Sequence, residues 1–185
     1  MPRLTYYTAT TLDGFLADTS DSLAWLLRQD VDEAGPFNYA EFIADIGAIV
    51  MGSTTYEWVL REYPDEWFYD VPVWVMTSRT LPAREGADIR FASGSVREVY
   101  DAMATAAGGR DLWVVGGGDL AGQFADAGLL DEVVVNIAPV VLGAGRQLLP
   151  RQLDLRLVDT ARNRAFVGAR YEVVGPLAES ARVRA

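Results

Sequence analysis

Apolar residues fall along this chain in short runs divided by glycine, proline and acidic residues. Several of these runs are too short for a helix and too continuous for a half-exposed strand, the pattern of strands buried on both faces. The first, LTYYTATT at 4–11, is rich in β-branched and aromatic residues and predicts a strand. Leu12-Asp13-Gly14-Phe15 closes it with a turn, and Leu16-Ala17-Asp18 is expected to continue as a loop. The segment 19–27 offers Ser20, Asp21 or Ser22 as a cap before an apolar group and predicts a short helical turn. Tyr39, Phe42, Ile43 and Ile46 lie at helical spacing, which predicts a helix over 38–45 capped by Asn38.

Further on, strand and helix alternate. A strand at 48–51 runs into Gly52-Ser53-Thr54-Thr55 and a helical stretch through Val59. A third apolar strand at 73–76 is closed by Thr77-Ser78-Arg79, and 88–92 reads as a short strand. Ser95 caps a helix carrying Val96, Val99, Tyr100 and Met103, which ends at Gly108-Gly109. The apolar run 112–115 meets Gly116-Gly117-Gly118, then a helical segment with Leu120 and Phe124 four apart. A long strand is expected from 132 to 137 and on to Gly143, and 153–159 with 165–174 alternate as an antiparallel hairpin. The expected fold is therefore α/β: a mostly parallel central sheet flanked by helices, with antiparallel edge strands at the C-terminal end. One domain over 1–177 and a frayed tail over 178–185 are expected.

Composition narrows the chemistry. The 185 residues include no histidine and no cysteine, and all 16 basic residues are arginine. Disulfides, thiolate nucleophiles, zinc sites of the usual kind, histidine-based triads and lysine Schiff bases are thereby excluded, and no metal site is expected. Aspartate, glutamate, tyrosine and water remain for proton chemistry, so the chain either does not catalyse or takes its reactive atom from a cofactor. A net charge of −10 argues against a nucleic-acid surface. No window approaches 18 uninterrupted apolar residues, so no membrane span is expected. The N-terminus enters a strand pattern with no signal-peptide core, which makes a cytoplasmic location the expectation.

The glycines after 115 suggest a ligand. A strand that turns into a helix through glycine lets a phosphate approach the backbone, where free N–H groups favour negative charge. The run G-G-G-D-L-A is not the dinucleotide fingerprint, and a plain strand-to-helix turn explains it equally.

Three units taken together carry more: Thr8-Ala-Thr-Thr-Leu-Asp-Gly14, Met51-Gly-Ser-Thr-Thr-Tyr-Glu57 and Val115-Gly-Gly-Gly-Asp-Leu120, with Thr77-Ser78-Arg79 between the last two. In this order and spacing they resemble the three-layer dihydrofolate reductase fold. The Leu-Asp-Gly turn and Val133-Val-Val-Asn-Ile-Ala-Pro-Val-Val-Leu-Gly143 are closest to the reductase domain of bifunctional riboflavin biosynthesis proteins and its stand-alone bacterial relatives. The resemblance spans residues 4 to about 174 and implies an NADPH site at the carboxyl ends of the strands. On that basis Ala9 and Thr10 would lie against the nicotinamide. Gly52, Ser53, Thr54 and Thr55 would hold one phosphate, and Gly116, Gly117, Gly118, Asp119 and Leu120 the diphosphate. Thr77, Ser78 and Arg79 would meet the adenosine ribose, with Arg79 favouring a 2′-phosphate and hence NADPH.

The chain also departs from the pattern. Ser53 stands where these folds often carry a basic residue, and 22–27 supplies no clear equivalent of the acid that protonates a pterin, Asp21 being near but ambiguous. The His-, Glu- and Cys-based deaminase half of the riboflavin enzymes is missing. Asp13, in the turn beside the nicotinamide strand, is the expected proton-handling acid; Asp13-Gly14 is otherwise a turn pair, Ser53 and Thr54 helix caps, and Arg79 a solvated charge. Trp25, Phe37, Trp58 and Trp67 are expected in the core, in a dimer contact or along a substrate pocket. The leading expectation is an NADPH-dependent reductase of a small polar heterocyclic C=N or C=O acceptor. The alternatives are a non-catalytic NADP-binding sensor on the same fold and, less favoured, flavin binding. Relatives of this type and the apolar C-terminal strands point to a homodimer.

Overall fold

In chain order the elements are β1 (Leu4–Thr11), β2 (Phe15–Ala17), α1 (Ala24–Leu27), α2 (Tyr39–Ala44), β3 (Ile46–Gly52), α3 (Ser53–Glu62), β4 (Val73–Met76), β5 (Ile89–Ala92), α4 (Val96–Ala106), β6 (Asp111–Gly116), α5 (Gly118–Asp126), β7 (Glu132–Ala138), β8 (Arg146–Gln147), β9 (Leu153–Asn163) and β10 (Phe166–Pro176). This computed structural model describes residues 1–177, and the tail expected at 178–185 lies outside the described residues.

The main sheet has eight strands in the order β5-β4-β3-β6-β1-β7-β10-β9. Every neighbouring pair from β5 to β7 is parallel, whereas β10 runs antiparallel to β7 and β9 antiparallel to β10. The mostly parallel sheet with an antiparallel C-terminal edge is the architecture the sequence predicts. Its layers follow from the alternation of side chains along each strand. Ala48 and Val50 of β3, Leu112 and Val114 of β6 and Leu4 and Tyr6 of β1 pack under α4 and α5, against Met103, Tyr100 and Phe124. Ile49, Met51, Val73, Val75 and Trp113 face the other way, against Tyr56 and Leu60 of α3 and Phe42 and Ile43 of α2. Strands covered on both sides have no polar face to show, which is why they read as unbroken apolar runs.

Caps fix two of the helices where expected. The Asn38 side chain accepts from the Glu41 N–H at 2.8 Å, and the Ser95 hydroxyl accepts from Arg97 N–H at 3.2 Å. Ahead of α1 the Asp18 carboxylate accepts from the N–H groups of Ser20 and Ser22, at 2.8 and 2.9 Å.

Two segments differ from expectation. The strand expected to reach Gly143 stops at Ala138, because Pro139 has no N–H to donate and Leu12 N–H turns to the Val140 carbonyl at 2.8 Å. Leu16 and Ala17, expected as loop, belong to β2, which pairs with the two-residue β8 in a separate small sheet. Among the described residues no helix is long and apolar enough to cross a membrane.

The chain leaves β3 toward β4 on one side and leaves β6 past β1 toward β7 on the other, although β3 and β6 are neighbours. Connections that part company at adjacent parallel strands open a crevice at the carboxyl ends.

Met103 has no exposed surface and joins α4 to the sheet. Met103→Ala is expected to lower the urea-derived unfolding free energy by about 2–5 kcal/mol, with little change in the denaturant slope.

Candidate functional site

The crevice is a cavity of about 1000 Å³. Its floor is formed by Thr8 and Ala9 near the end of β1, Gly52–Thr55 where β3 passes into α3, and 116–120 where β6 passes into α5. Its opposite wall carries Phe15, Leu16 and Ala17 of β2, Leu23 and Leu26, and the segment 143–147.

Two helices begin on this floor, and both are capped by glycine. Gly52 and Gly117 are the N-caps of α3 and α5, and neither helix start receives a side-chain hydrogen bond, unlike the starts of α2 and α4. The first-turn N–H groups therefore have no side-chain acceptor at the cavity wall, and both helix dipoles present their positive ends there. The glycines also leave room. A Cβ built on Gly117 meets nothing within 4 Å, and one on Gly116 meets only the Thr55 hydroxyl at 3.8 Å. Gly116 has φ +149°, open to glycine alone, and the Gly116–Gly117 peptide is cis. Gly118 serves a different purpose: a Cβ there would stand 2.3 Å from the carbonyl oxygens of Gln147 and Leu148. The start of α5 thus rests directly on the backbone of the opposite wall, which Tyr6 reinforces by donating from its hydroxyl to the Leu148 carbonyl at 3.0 Å.

Among the described residues lining the cavity, Asp21, Asp119 and Arg146 are the charged ones. Arg146 donates through Nε and an Nη to the two oxygens of Asp21, at 2.5 and 2.9 Å, and this contact holds the Asp21 carboxyl below the usual range. Asp119 is lowered likewise, by Gln123 at 2.9 Å and Arg151 at 3.0 Å. Both carboxylates are ionised at neutral pH. Burial raises the Tyr69 hydroxyl well above its ordinary value, so it stays neutral.

Of the residues expected to form a site, the structure brings Ala9, Gly52, Ser53, Thr54, Thr55, Gly116, Gly117, Gly118, Asp119 and Leu120 together around the cavity. The remainder lie outside its lining. Thr10 is buried, and its hydroxyl donates toward the Thr11 and Phe15 carbonyls. The Asp13 carboxylate accepts from the Thr11 hydroxyl at 2.6 Å and from the N–H groups of Leu142 and Gly143 at 3.1 and 2.7 Å. Its place in this structure is that of a staple between the turn after β1 and the loop after β7. Thr77, Ser78 and Arg79 follow Met76, which does line the cavity. The Arg79 guanidinium binds both oxygens of Glu57 on α3, at 3.0 and 2.6 Å.

The aromatic residues divide in the same way. Trp58 lines the cavity, Trp25 is buried against Ala138 and Phe166, and Trp67 stands edge-on to Tyr56 at 6.2 Å. Phe37 lies so close over Gly168 that a Cβ there would come within 2.4 Å of its ring. Arg146, Gln147, Gln123 and Tyr69 were not legible as site residues. Asp21 was legible only as a cap or an ambiguous acid, because its partner lies 125 positions away.

A family model for the RibD C-terminal domain matches residues 2–165. The chain is 28% identical over 157 residues to the uncharacterized protein YwjB of Bacillus subtilis (strain 168), covering 83% of this chain and 88% of that one. In structure it is similar to a putative riboflavin biosynthesis protein from Shewanella sp. PV-4, with TM-score 0.79 and 24% identity over 94% of this chain and 99% of the other. It is also similar in fold to a diaminohydroxyphosphoribosylaminopyrimidine deaminase/5-amino-6-(5-phosphoribosylamino)uracil reductase from Thermotoga maritima, with TM-score 0.61 and 17% identity. That likeness covers 93% of this chain and 56% of the Thermotoga protein.

The Thr11 hydroxyl, with help from the Gly143 and Leu142 N–H groups, holds the Asp13 carboxyl below its ordinary value. A depressed folded-state pKa contributes stability above the unfolded value, and that stability is lost as pH falls through the folded one. Asp13→Ala is therefore expected to melt at a lower temperature than wild type at neutral pH. The two melting curves should converge as pH drops from about 5 toward about 3. A difference independent of pH in thermal scans would remove the carboxylate from this role.

Proposed function

The chain belongs to the RibD C-terminal domain family, and on that premise we propose that it is an NADPH-dependent reductase. Its acceptor is a small polar heterocycle of pyrimidine, pterin or flavin-precursor type with a reducible C=N or C=O. One observation carries this reading: two glycine-capped helix starts, without side-chain acceptors, open side by side on one large cavity. The residues fit a dinucleotide. Gly52 to Thr55 offer backbone N–H groups and hydroxyls to one phosphate, and 116–120 a backbone cradle to the diphosphate, with Ala9 at the nicotinamide end.

Bound there, NADPH supplies the hydride. The protein's own contribution is position and exclusion of water by Phe15, Leu16, Leu23, Leu26 and Trp58. Asp21 and Asp119 are both ionised, so neither holds a proton to give, and water is the source of the acceptor's proton. Asp13 acts as a positioning residue, through the loop that leads to Gly143 and Arg146. The same lack of a protonated carboxyl favours the second reading, a non-catalytic NADP-binding sensor on this fold. Reduction of any acceptor by the NADPH-loaded protein separates the two.

Preference for NADPH over NADH is assigned to Arg79, which would exchange Glu57 for the 2′-phosphate. Titration followed by tryptophan-to-nicotinamide energy transfer tests this. Arg79→Ala is expected to weaken NADPH about 10- to 100-fold and leave NADH unchanged, while Glu57→Gln tightens NADPH. Binding of neither nucleotide by the wild type would sink the reductase reading.

A homodimer is proposed as well, supported by exposed Leu155, Leu157 and Val158 on the outermost strand, β9. Light scattering is expected to give twice the mass of one chain, falling to a single chain in Leu157→Lys.

A further inference from the structure

We infer that Asp21 makes this cavity select an acceptor that carries no phosphate. The inference rests on the reductase reading and concerns the part of the cavity left over once the dinucleotide is placed. Arg146 is the cationic side chain of the lining among the described residues, and Asp21 occupies it at two points, oxygen by oxygen. Asp21 is held for that contact. It sits at φ +59°, its N–H donates to the Asp18 carbonyl at 3.2 Å, and the Asp18 carboxylate fastens the residues on either side.

Among the described residues of the lining no second cation is available to replace Arg146. Arg61 attracts Asp21 from farther off and is itself paired with Glu62 at 2.9 Å. Arg151 is divided between Asp126 and Asp119.

The anion-favouring groups of the cavity are the starts of α3 and α5, and the dinucleotide takes both. Its phosphates then add negative charge to a lining that already holds two carboxylates against one guanidinium. A phosphomonoester on the acceptor would have to displace Asp21 from Arg146 and leave that carboxylate facing a dianion of its own sign. What the wall offers instead is the apolar and aromatic surface of Phe15, Leu16, Leu23, Leu26, Trp58 and Tyr69, suited to an uncharged planar ring. The Thermotoga protein of similar fold is named for a phosphoribosyl substrate. In this chain the Asp21–Arg146 pair turns the acceptor end neutral.

The test uses calorimetric titration of the NADPH-saturated protein with ribose 5-phosphate, and ribose as control, on wild type, Asp21→Asn and the double variant with Arg146→Gln. Asparagine tolerates the left-handed backbone of position 21, and retained NADPH binding verifies that each variant is folded. Asp21→Asn is expected to bind ribose 5-phosphate at least about tenfold more tightly than wild type. Adding Arg146→Gln should abolish the gain, and ribose should distinguish none of the three. Wild type that binds the phosphate as tightly as Asp21→Asn, or an Asp21→Asn protein that gains nothing, overturns the inference and leaves the reductase reading standing. Failure of the wild type to bind NADPH at all overturns that reading instead.

Discussion

Burial of β1, β3 and β6 on both faces is the constraint from which the rest of the molecule follows. Helices α4 and α5 close one side of these strands and α2 and α3 the other, so these three strands are open to a ligand only at their ends. At the carboxyl ends the chain must leave in opposite directions from two neighbouring strands, and the space between the departures cannot be filled by either connection. The cavity is thus a product of topology before it is a product of particular side chains. Glycine at the two departures then decides its character. A serine or asparagine cap would satisfy the first-turn N–H groups internally, as Asn38 and Ser95 do for α2 and α4; glycine leaves them for a ligand.

The elements legible in the sequence are those whose signal is local. Val73–Met76 reads as a strand because four consecutive apolar residues suit burial on both faces. Asn38 and Ser95 read as caps because capping is settled within three residues of the cap itself. The glycine-rich turns at Gly52 and 116–118 were legible as strand-to-helix turns for the same reason, and they line the cavity. The opposite wall was not. β2 and β8 are three and two residues long and pair with each other across more than a hundred positions, which leaves no periodic trace. The apolar run after Ala138 looked like more strand, yet Pro139 and a carboxylate from Asp13 bend it into a loop. In each case a distant polar partner overrode local propensity.

The same division explains the charged residues. Arginine is the chain's only basic side chain, and around the cavity its guanidinium groups are matched two-pointed to carboxylates: Arg146 to Asp21, Arg79 to Glu57. Planar pairs of this kind fix direction as well as charge, which a lysine ammonium would not do. The net charge is −10, and the cation that lines the cavity among the described residues, Arg146, is already paired.

Helix starts capped by Gly52 and Gly117, with no side-chain acceptor, would also tie the endurance of the folded chain to any ligand that completes them. A dinucleotide that binds only the native state at a hundred times its dissociation constant adds about 2.7 kcal/mol to that state, a sizeable part of the margin of a domain of this size. Were such a dinucleotide its ligand, a fall in the nucleotide pool would let the same chain open more often and expose it to proteases for longer. Abundance in the cell would then track the reducing supply with no dedicated regulator, simply because two helices were left for a ligand to finish.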